Sequence, residues 1–126
     1  MRRDIVIERP ADDVWAVVSK AESIHEWFPG MTATQVDGDT RVVTLNTGIP
    51  LVETILVNDP LQRRFQYKVA GAVFKEHLGT IDVIALAPDR CLVTYSSDAD
   101  PAAMAVVLGG ATGGALRELK RQMESA

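Results

Sequence analysis

The sequence predicts an α+β fold in which a curved antiparallel sheet of seven strands wraps around one long C-terminal helix. Residues 31–98 form short runs rich in Val, Ile, Thr and Tyr, separated by turn residues, which is the pattern of a strand meander. Residues 104–123 instead repeat apolar side chains at helical spacing. A lone antiparallel sheet must cover one face, and this helix is the large apolar element that remains, so we expect the sheet to close around it.

The N-terminus predicts a strand and a first short helix. Residues 5–8 alternate between two faces, as a half-buried strand does. Pro10 suits the first position of a helix, and Asp12 and Asp13 then place negative charge at the positive end of the helix dipole. We therefore expect a helix that begins at about Pro10, with an apolar stripe formed by Val14, Val17, Val18 and Ala21.

A second short helix is expected to follow the first. Segments 19–22 and 23–26 both fit the capping box Ser-x-x-Glu, in which the serine and the glutamate satisfy each other's backbone donors. The helix is expected to begin at one of these two segments. Pro29 disfavours helical geometry at the residue before it, and Gly30 follows, so the helix is expected to end around Trp27.

The meander and the last helix complete the order of elements. Turn-forming residues divide the meander into strands near 31–37, 40–46, 51–58, 63–70, 75–86 and 91–98. Asp100 and Pro101 then predict an N-cap and a helix-initiating proline. The apolar stripe of this helix consists of Met104, Val107, Leu108, Ala111, Ala115, Leu119 and Met123.

Four glycines, at positions 109, 110, 113 and 114, are unusual inside a predicted helix. Each costs about 1 kcal/mol relative to Ala, so another interaction must offset them. Close approach of the helix to the sheet and room for a ligand explain them equally well, and a hinge in the helix is a third explanation.

Composition excludes several classes of function. The 13 basic and 17 acidic residues give a net charge of −4, and the basic residues are scattered, so no nucleic-acid partner is expected. One Cys and two His predict neither an internal disulfide nor a metal site, and the reducing cytoplasm fits best.

The length fits a single domain, 1–126. The longest uncharged run, 101–116, is shorter than the roughly 20 residues of a membrane span, so no stable membrane insertion is expected.

Several segments resemble a known superfamily. The stretch from Ile5 to Ser19, followed by Trp27-Phe28-Pro29-Gly30, resembles the opening of the START-like (Bet v 1-like, SRPBCC) superfamily, which has a strand, a proline, Val-Trp on the first helix and a Trp-x-Pro-like corner. Segment 53–60 with Arg64, Phe65 and Tyr67 is similar to the middle strands of its polyketide cyclase/dehydrase branch. Segments 77–83 and 93–96 are similar to its last two strands.

The resemblance implies a helix-grip fold that encloses a pocket for an apolar or aromatic small molecule, such as a lipid, sterol or polyketide. It implies no cofactor and no metal, and it does not imply catalysis. The superfamily includes carriers, receptors, cyclases and interaction modules, so the fold by itself does not decide the function. We expect a bacterial-type protein that is a monomer or a homodimer.

Two titratable residues are candidates for proton transfer. His77 shares a strand face with Ile81, and we take that face as concave. A neutral imidazole there would donate to a carbonyl or act as a general base. A histidine satisfied by a backbone carbonyl is the simpler interpretation, and we favour it.

Glu53 shares a face with apolar residues, and burial would raise its pKa. For Glu53 we favour an outward face or a pair with a surface Arg, because charged residues are rarely buried.

Aromatic residues are the remaining candidates. Phe65 and Tyr67 share one strand face, and Tyr95 lies on a similar face of the last strand, so each is expected to form either pocket wall or plain core. The resemblance places Trp27 and Phe28 near a pocket entrance, with packing of the helices onto the sheet as the alternative. On the last helix, Leu108 and Thr112 are expected to face the pocket.

The sequence therefore predicts binding of a hydrophobic small molecule between the sheet and the C-terminal helix. A polyketide cyclase or dehydratase that uses His77 or Glu53 is one alternative. A protein-interaction module with a vestigial pocket is another.

Overall fold

A computed structural model of the chain describes residues 1–71 and 73–125. The elements, in chain order, are β1 (Arg2–Ile7), α1 (Ala11–Val18), a 3-10 helix (Ala21–Glu26), β2 (Met31–Asp37), β3 (Thr40–Leu45), β4 (Pro50–Asp59), β5 (Arg64–Ala70), β6 (Glu76–Ala87), β7 (Arg90–Asp100) and α2 (Ala102–Ser125). All seven strands form one antiparallel sheet in the order β1-β7-β6-β5-β4-β3-β2. The predicted fold class is confirmed: this is a helix-grip fold.

The inward face of the sheet follows the predicted alternation. Phe65 and Tyr67 on β5, Ile81 on β6 and Tyr95 on β7 are all buried on the concave side. On β6 the inward face runs from His77 to Val83 but does not extend to Ala85, which is exposed just before a bulge in the pairing with β7. Strand periodicity therefore placed these side chains correctly wherever the ladder is regular.

The helices cover the concave face unevenly. The C-terminal part of α2 buries Ala115, Leu116, Leu119 and Met123 in the core. Of residues 102–111 in the first part of α2, only Gly109 is buried, and Val106 and Val107 are 60% and 63% exposed. The core is therefore filled near the end of α2 and left open beside its beginning, which is where a cavity lies. Within residues 1–71 and 73–125, no helix combines the length and the apolar character needed to cross a membrane.

The predicted capping boxes are wrong. The second helix begins at Ala21 after Lys20, and no side chain caps it. Ser19 instead ends α1 in helical geometry, with its hydroxyl 3.5 Å from the Ala16 carbonyl oxygen, and Ser23 lies inside the helix. The helix is a 3-10 helix of six residues, held to the sheet by a hydrogen bond from Arg41 Nη1 to the Ala21 carbonyl (3.2 Å). Tertiary contacts thus take the place of a local cap.

The start of α2 and part of its predicted stripe also differ from expectation. Asp100 is the last residue of β7 and its carbonyl accepts a hydrogen bond from the Lys75 amide (2.7 Å), so α2 begins one residue later than predicted, at Ala102. Val107 and Ala111 are exposed rather than buried. The helical period was right, but α2 packs mainly on β1 and β7, so Val107 is left in solvent and Ala111 borders a cavity rather than the packed core.

Close packing explains Gly109, whereas Gly110 has open space beside it and Gly113 and Gly114 have only ordinary contacts. A Cβ on Gly109 would collide with the Met1 side chain, and a Cβ on Gly113 would touch Arg3 at 3.7 Å. Arg3 Nε also donates to the Gly109 carbonyl (3.2 Å), which ties β1 to the helix. None of the four glycines lines the cavity described below, so the absent side chains do not provide its volume.

Candidate functional site

A cavity of about 300 Å³ lies between the sheet and the first half of α2, and we call it the inner cavity. Its walls are mostly apolar, with a few polar side chains that converge from β4, β5, β6 and α2. It is bordered by Phe28, Pro29, Gly30, Met31, Leu45, Asn46, Leu51, Glu53, Tyr67, Val69, His77, Leu108, Ala111 and Thr112. An apolar cavity with a few convergent polar groups is the usual form of a small-molecule site.

Six of the ten residues predicted to contact a ligand border this cavity: Phe28, Glu53, Tyr67, His77, Leu108 and Thr112. The other four, Trp27, Phe65, Ile81 and Tyr95, lie in the packed core outside the lining. Trp27 is only 2% exposed and its ring packs 6.5 Å from Tyr95, centroid to centroid, as in the packing interpretation given above. Trp15 is also buried in the core.

Eight lining residues were not predicted, namely Pro29, Gly30, Met31, Leu45, Asn46, Leu51, Val69 and Ala111. Val69 and Leu51 carried a usable signal, because they share strand faces with Tyr67 and Glu53 respectively. Pro29, Gly30 and Asn46 lie in turns, and side-chain directions in turns cannot be derived from strand alternation.

A buried ion pair stands at one side of the inner cavity. Arg41 and Glu53 are cross-strand neighbours on β3 and β4 and are 1% and 2% exposed. Arg41 Nε donates to Glu53 Oε1 at 2.7 Å, and Nη2 lies 2.6 Å from the same oxygen without the geometry of a second hydrogen bond. The guanidinium carbon also lies 5.1 Å from the ring centroids of Phe65 and Tyr67, within the range of cation–π attraction.

The prediction that Glu53 faces outward or pairs with a surface Arg is wrong. Its partner is as buried as the carboxylate, and the pair forms because residues 41 and 53 lie opposite each other on antiparallel strands. Burial raises the pKa of the Glu53 carboxyl, and the charge and hydrogen bond of Arg41 oppose that rise. Oε2 accepts no hydrogen bond from any described residue, and Glu53 borders the cavity, so this oxygen is available to a ligand.

Two tyrosines join the cavity wall to the core. Tyr67 borders the cavity, and its hydroxyl lies 2.5 Å from the hydroxyl of Tyr95, which is fully buried. Burial raises the pKa of both phenols, so both are neutral at physiological pH. Each hydroxyl has the other as its partner, and the pair holds the Tyr67 ring in place rather than offering an acid to a ligand.

His77 has a defined role for each ring nitrogen. The Val69 amide donates to His77 Nδ1 at 2.9 Å, so Nδ1 carries no proton. A neutral imidazole has a single N–H, which must then be on Nε2. Desolvation lowers the pKa of His77, so the ring is neutral at pH 7, and Nε2 makes no hydrogen bond to a described residue. His77 therefore presents a donor, because the nitrogen that could take a proton already accepts the Val69 amide.

A second, larger depression lies on the other side of His77. This outer groove has a volume of about 720 Å³ and is bordered by Val69, His77, the 70–71 turn, Phe74 and several charged residues. Val69 and His77 border both spaces. Within residues 1–71 and 73–125, no group of three or more His, Cys, Asp and Glu side chains is arranged to hold a metal ion.

Comparison with known proteins agrees with this fold. The sequence matches the family described as polyketide cyclase / dehydrase and lipid transport over residues 1–124. No curated protein matches the sequence. The structure is similar to the protein XoxI from Bacillus cereus, with a TM-score of 0.89 and 19% identity over 98% of this chain and 94% of that chain.

Two further solved structures are similar. A START superfamily protein from Mycobacterium smegmatis has a TM-score of 0.81 and 15% identity, covering 99% of this chain and 97% of that chain. Norcoclaurine synthase from Thalictrum flavum, solved in complex with dopamine and hydroxybenzaldehyde, has a TM-score of 0.78 and 17% identity, covering 99% of this chain and 86% of that chain. At sequence identities this low, the structural similarity shows that the proteins share a fold.

The predicted superfamily is thus confirmed, and family and fold together support a ligand-binding or cyclase role. The chain belongs to the polyketide cyclase / dehydrase and lipid transport family.

Proposed function

We propose that the protein binds a compact, largely apolar small molecule in the inner cavity. The observation that carries this proposal is an apolar cavity bordered by Glu53 and His77, whose Oε2 and Nε2 atoms hydrogen-bond to no described residue. Neither atom is fully enclosed by protein, so each is open to a polar group of a ligand, while the apolar walls favour a largely apolar molecule.

The cavity volume restricts the ligand's size. An apolar cavity of about 150 Å³ accommodates one benzene ring. The inner cavity, at about 300 Å³, is about twice as large. A molecule of two fused rings, or of similar bulk, fits this space, whereas a long-chain lipid would have to extend beyond it.

The two free atoms restrict the ligand's chemistry. A Glu53 carboxylate accepts a hydrogen bond, so the ligand group beside it is a donor such as a hydroxyl. His77 Nε2 donates, so the ligand group beside it is an acceptor such as a carbonyl. Glu53 on β4 and His77 on β6 lie on either side of Val69, so the two polar groups of the ligand are expected at different ends of the molecule. A two-ring compound with oxygens at opposite ends has this arrangement.

Binding can be tested with β-naphthol, a neutral two-ring phenol, by fluorescence titration. Leu51→Trp places a large side chain in the cavity wall and is expected to abolish binding. Val52→Trp is the matched control, because Val52 is the next residue on β4 and is 44% exposed on the opposite face. Equal affinity in wild type and Leu51→Trp, with native circular dichroism in both, would place the binding site elsewhere.

The natural ligand can be sought directly. Native mass spectrometry of protein purified from cells is expected to show a co-purifying mass that disappears on denaturation and is absent from Leu51→Trp. The same mass in both variants would argue against the inner cavity.

Catalysis of a cyclisation or dehydration is the second candidate function, and Glu53 is the observation that favours it. A buried carboxyl with a raised pKa and one free oxygen is a suitable proton donor or acceptor. With a synthetic poly-β-ketone thioester as substrate, Glu53→Gln is expected to lower the rate by about 100-fold or more. Unchanged turnover in a folded Glu53→Gln variant would remove Glu53 from the chemistry.

A further inference from the structure

The pairing of β5 and β6 stops where the inner cavity and the outer groove meet. The last pair of this ladder is Tyr67 with Gly79. Continued by two residues on each strand, the register would place Val69 opposite His77. Instead, the imidazole of His77 accepts the Val69 amide hydrogen at 2.9 Å. A side chain thus takes the place of a backbone ladder at this point.

The same hydrogen bond stands between two spaces. Val69 and His77 border both the inner cavity and the outer groove. The His77 ring lies between Tyr67 on the cavity side, at 5.6 Å between centroids, and Phe74 on the groove side, at 5.2 Å. A displacement of His77 away from Val69 would connect the two spaces.

Protonation of His77 acts directly on this hydrogen bond. A neutral imidazole accepts at one nitrogen, whereas an imidazolium donates from both and accepts at neither. A charged His77 would direct an N–H at the Val69 N–H, which is a repulsive arrangement. The hydrogen bond therefore exists only while the ring is neutral.

Charged groups of both signs surround His77. Lys68 on β5 and Lys75 before β6 oppose its protonation, while Glu76 on β6, Asp98 and Asp100 on β7, and Glu53 across the cavity favour it. Burial has the largest effect and lowers the pKa of His77, and Asp98 opposes that shift. The facing side chains of α2, Leu108 and Thr112, are uncharged. The ring is therefore neutral at pH 7 and takes a proton only at a pH below the ordinary histidine pKa.

We propose that the hydrogen bond between Val69 N–H and His77 Nδ1 is a latch that separates the inner cavity from the outer groove and opens when His77 is protonated. The outer groove then becomes an additional route by which the ligand leaves, beside the existing opening of the inner cavity. This second statement rests on the proposed ligand binding, whereas the latch itself does not require a ligand.

The latch is tested without ligand by amide hydrogen exchange measured by NMR at about pH 7.5 and at a lower pH at which the imidazole resonances of His77 show that the ring is protonated. In the wild type, protection of the Val69 amide, corrected for the intrinsic pH dependence of exchange, is expected to fall on the order of tenfold at the lower pH. The Lys75 amide, which donates to the Asp100 carbonyl in the same groove, is the internal control. Equal protection of Val69 at both pH values, or none at the higher pH, would overturn the latch.

Two substitutions of His77 distinguish loss of the hydrogen-bond acceptor from loss of the titratable group. In His77→Asn the Oδ1 atom occupies the position of Nδ1, accepts the same amide and does not titrate, so protection is expected to be high at both pH values. His77→Phe keeps a ring but has no acceptor, so protection is expected to be low at both. His25→Asn, at the other histidine, is expected to behave as wild type. Wild-type protection in His77→Phe would contradict the proposal.

The passage is tested with bound β-naphthol. Its dissociation rate, measured by stopped-flow fluorescence, is expected to rise several-fold at the lower pH in the wild type and to stay constant in His77→Asn. A wild-type rate that does not change with pH would overturn the passage. If β-naphthol does not bind at either pH, the proposed ligand class is wrong. The hydrogen-exchange result still decides whether the latch exists.

Discussion

The ring of Tyr67 lies on Gly79, its cross-strand partner on β6, so closely that a Cβ atom at position 79 would come within 2.6 Å of Cε1 and Cζ. The ring cannot move aside easily, because the Tyr67 hydroxyl is paired with that of Tyr95. Gly79 thereby lets Tyr67 lie flat along the sheet between the core and the inner cavity.

Gly79→Ala is therefore expected to destabilise the protein by about 1–3 kcal/mol, the usual cost of overpacking, and to displace Tyr67 from Tyr95. Urea unfolding measures this change. Gly110→Ala is the control, because a Cβ there meets nothing within 4 Å and Ala is the better helix former, so stability should rise by up to about 1 kcal/mol. A neutral Gly79→Ala would mean that the ring is free to shift.

Disruption of the Arg41–Glu53 pair is expected to be costly. Arg41→Met leaves a buried carboxylate without its partner, at a cost of about 3–5 kcal/mol near neutral pH. Loss of Arg41 also removes the charge that opposes the rise in the Glu53 pKa, so the folded variant binds a proton that the unfolded chain releases. The variant should therefore be more stable at acidic pH and lose stability as the pH rises.

Urea unfolding of Arg41→Met at several pH values checks this dependence. Arg90→Met is the control, because the Arg90–Glu8 pair is about half exposed on both sides and such pairs contribute about 1 kcal/mol or less. A cost for Arg41→Met as small as that for Arg90→Met would show that the buried pair contributes little.

Neither tyrosine is expected to ionise in the folded protein at a pH about one unit above the ordinary tyrosine pKa of about 10. Burial is the main reason that the pKa values of Tyr67 and Tyr95 are raised, and these are the two tyrosines of the chain. Ultraviolet absorbance of tyrosinate should appear near that pH in urea but not in buffer. Tyrosinate formation while the circular dichroism stays native would contradict the buried pair.

His77 is expected to make stability depend on pH in the opposite sense to Glu53. Because burial lowers the pKa of His77, the unfolded chain binds the proton more readily than the folded one. The contribution of His77 to the free energy of unfolding is complete above the ordinary histidine pKa of about 6.5. It is lost as the pH falls toward the lowered pKa of the folded protein. The free energy of unfolding of the wild type should therefore fall relative to that of His77→Asn on acidification. Parallel curves for the two proteins would show that His77 does not titrate in this range.

Much of the fold was predictable because its signals are local. Strand alternation placed Phe65, Tyr67 and Tyr95 on the inner face, and helical spacing predicted the buried residues at the end of α2. The failures occur where tertiary contacts override a local signal. The two serine capping boxes were plausible as sequence, but Arg41 and the sheet hold the 3-10 helix instead.

The candidate site was only partly predictable, since a cavity is the volume left between elements. The sequence by itself determined the order of the elements, through its turn residues and the periods of strand and helix, and it determined the inward faces of β5 and β7, because side chains alternate along a strand. It did not determine the direction of Glu53 on β4. Only the tertiary structure decided that Arg41 neutralises Glu53 and that His77 accepts the Val69 amide. Those contacts depend on the register between strands and on where α2 lies across the sheet, and long-range packing fixes both.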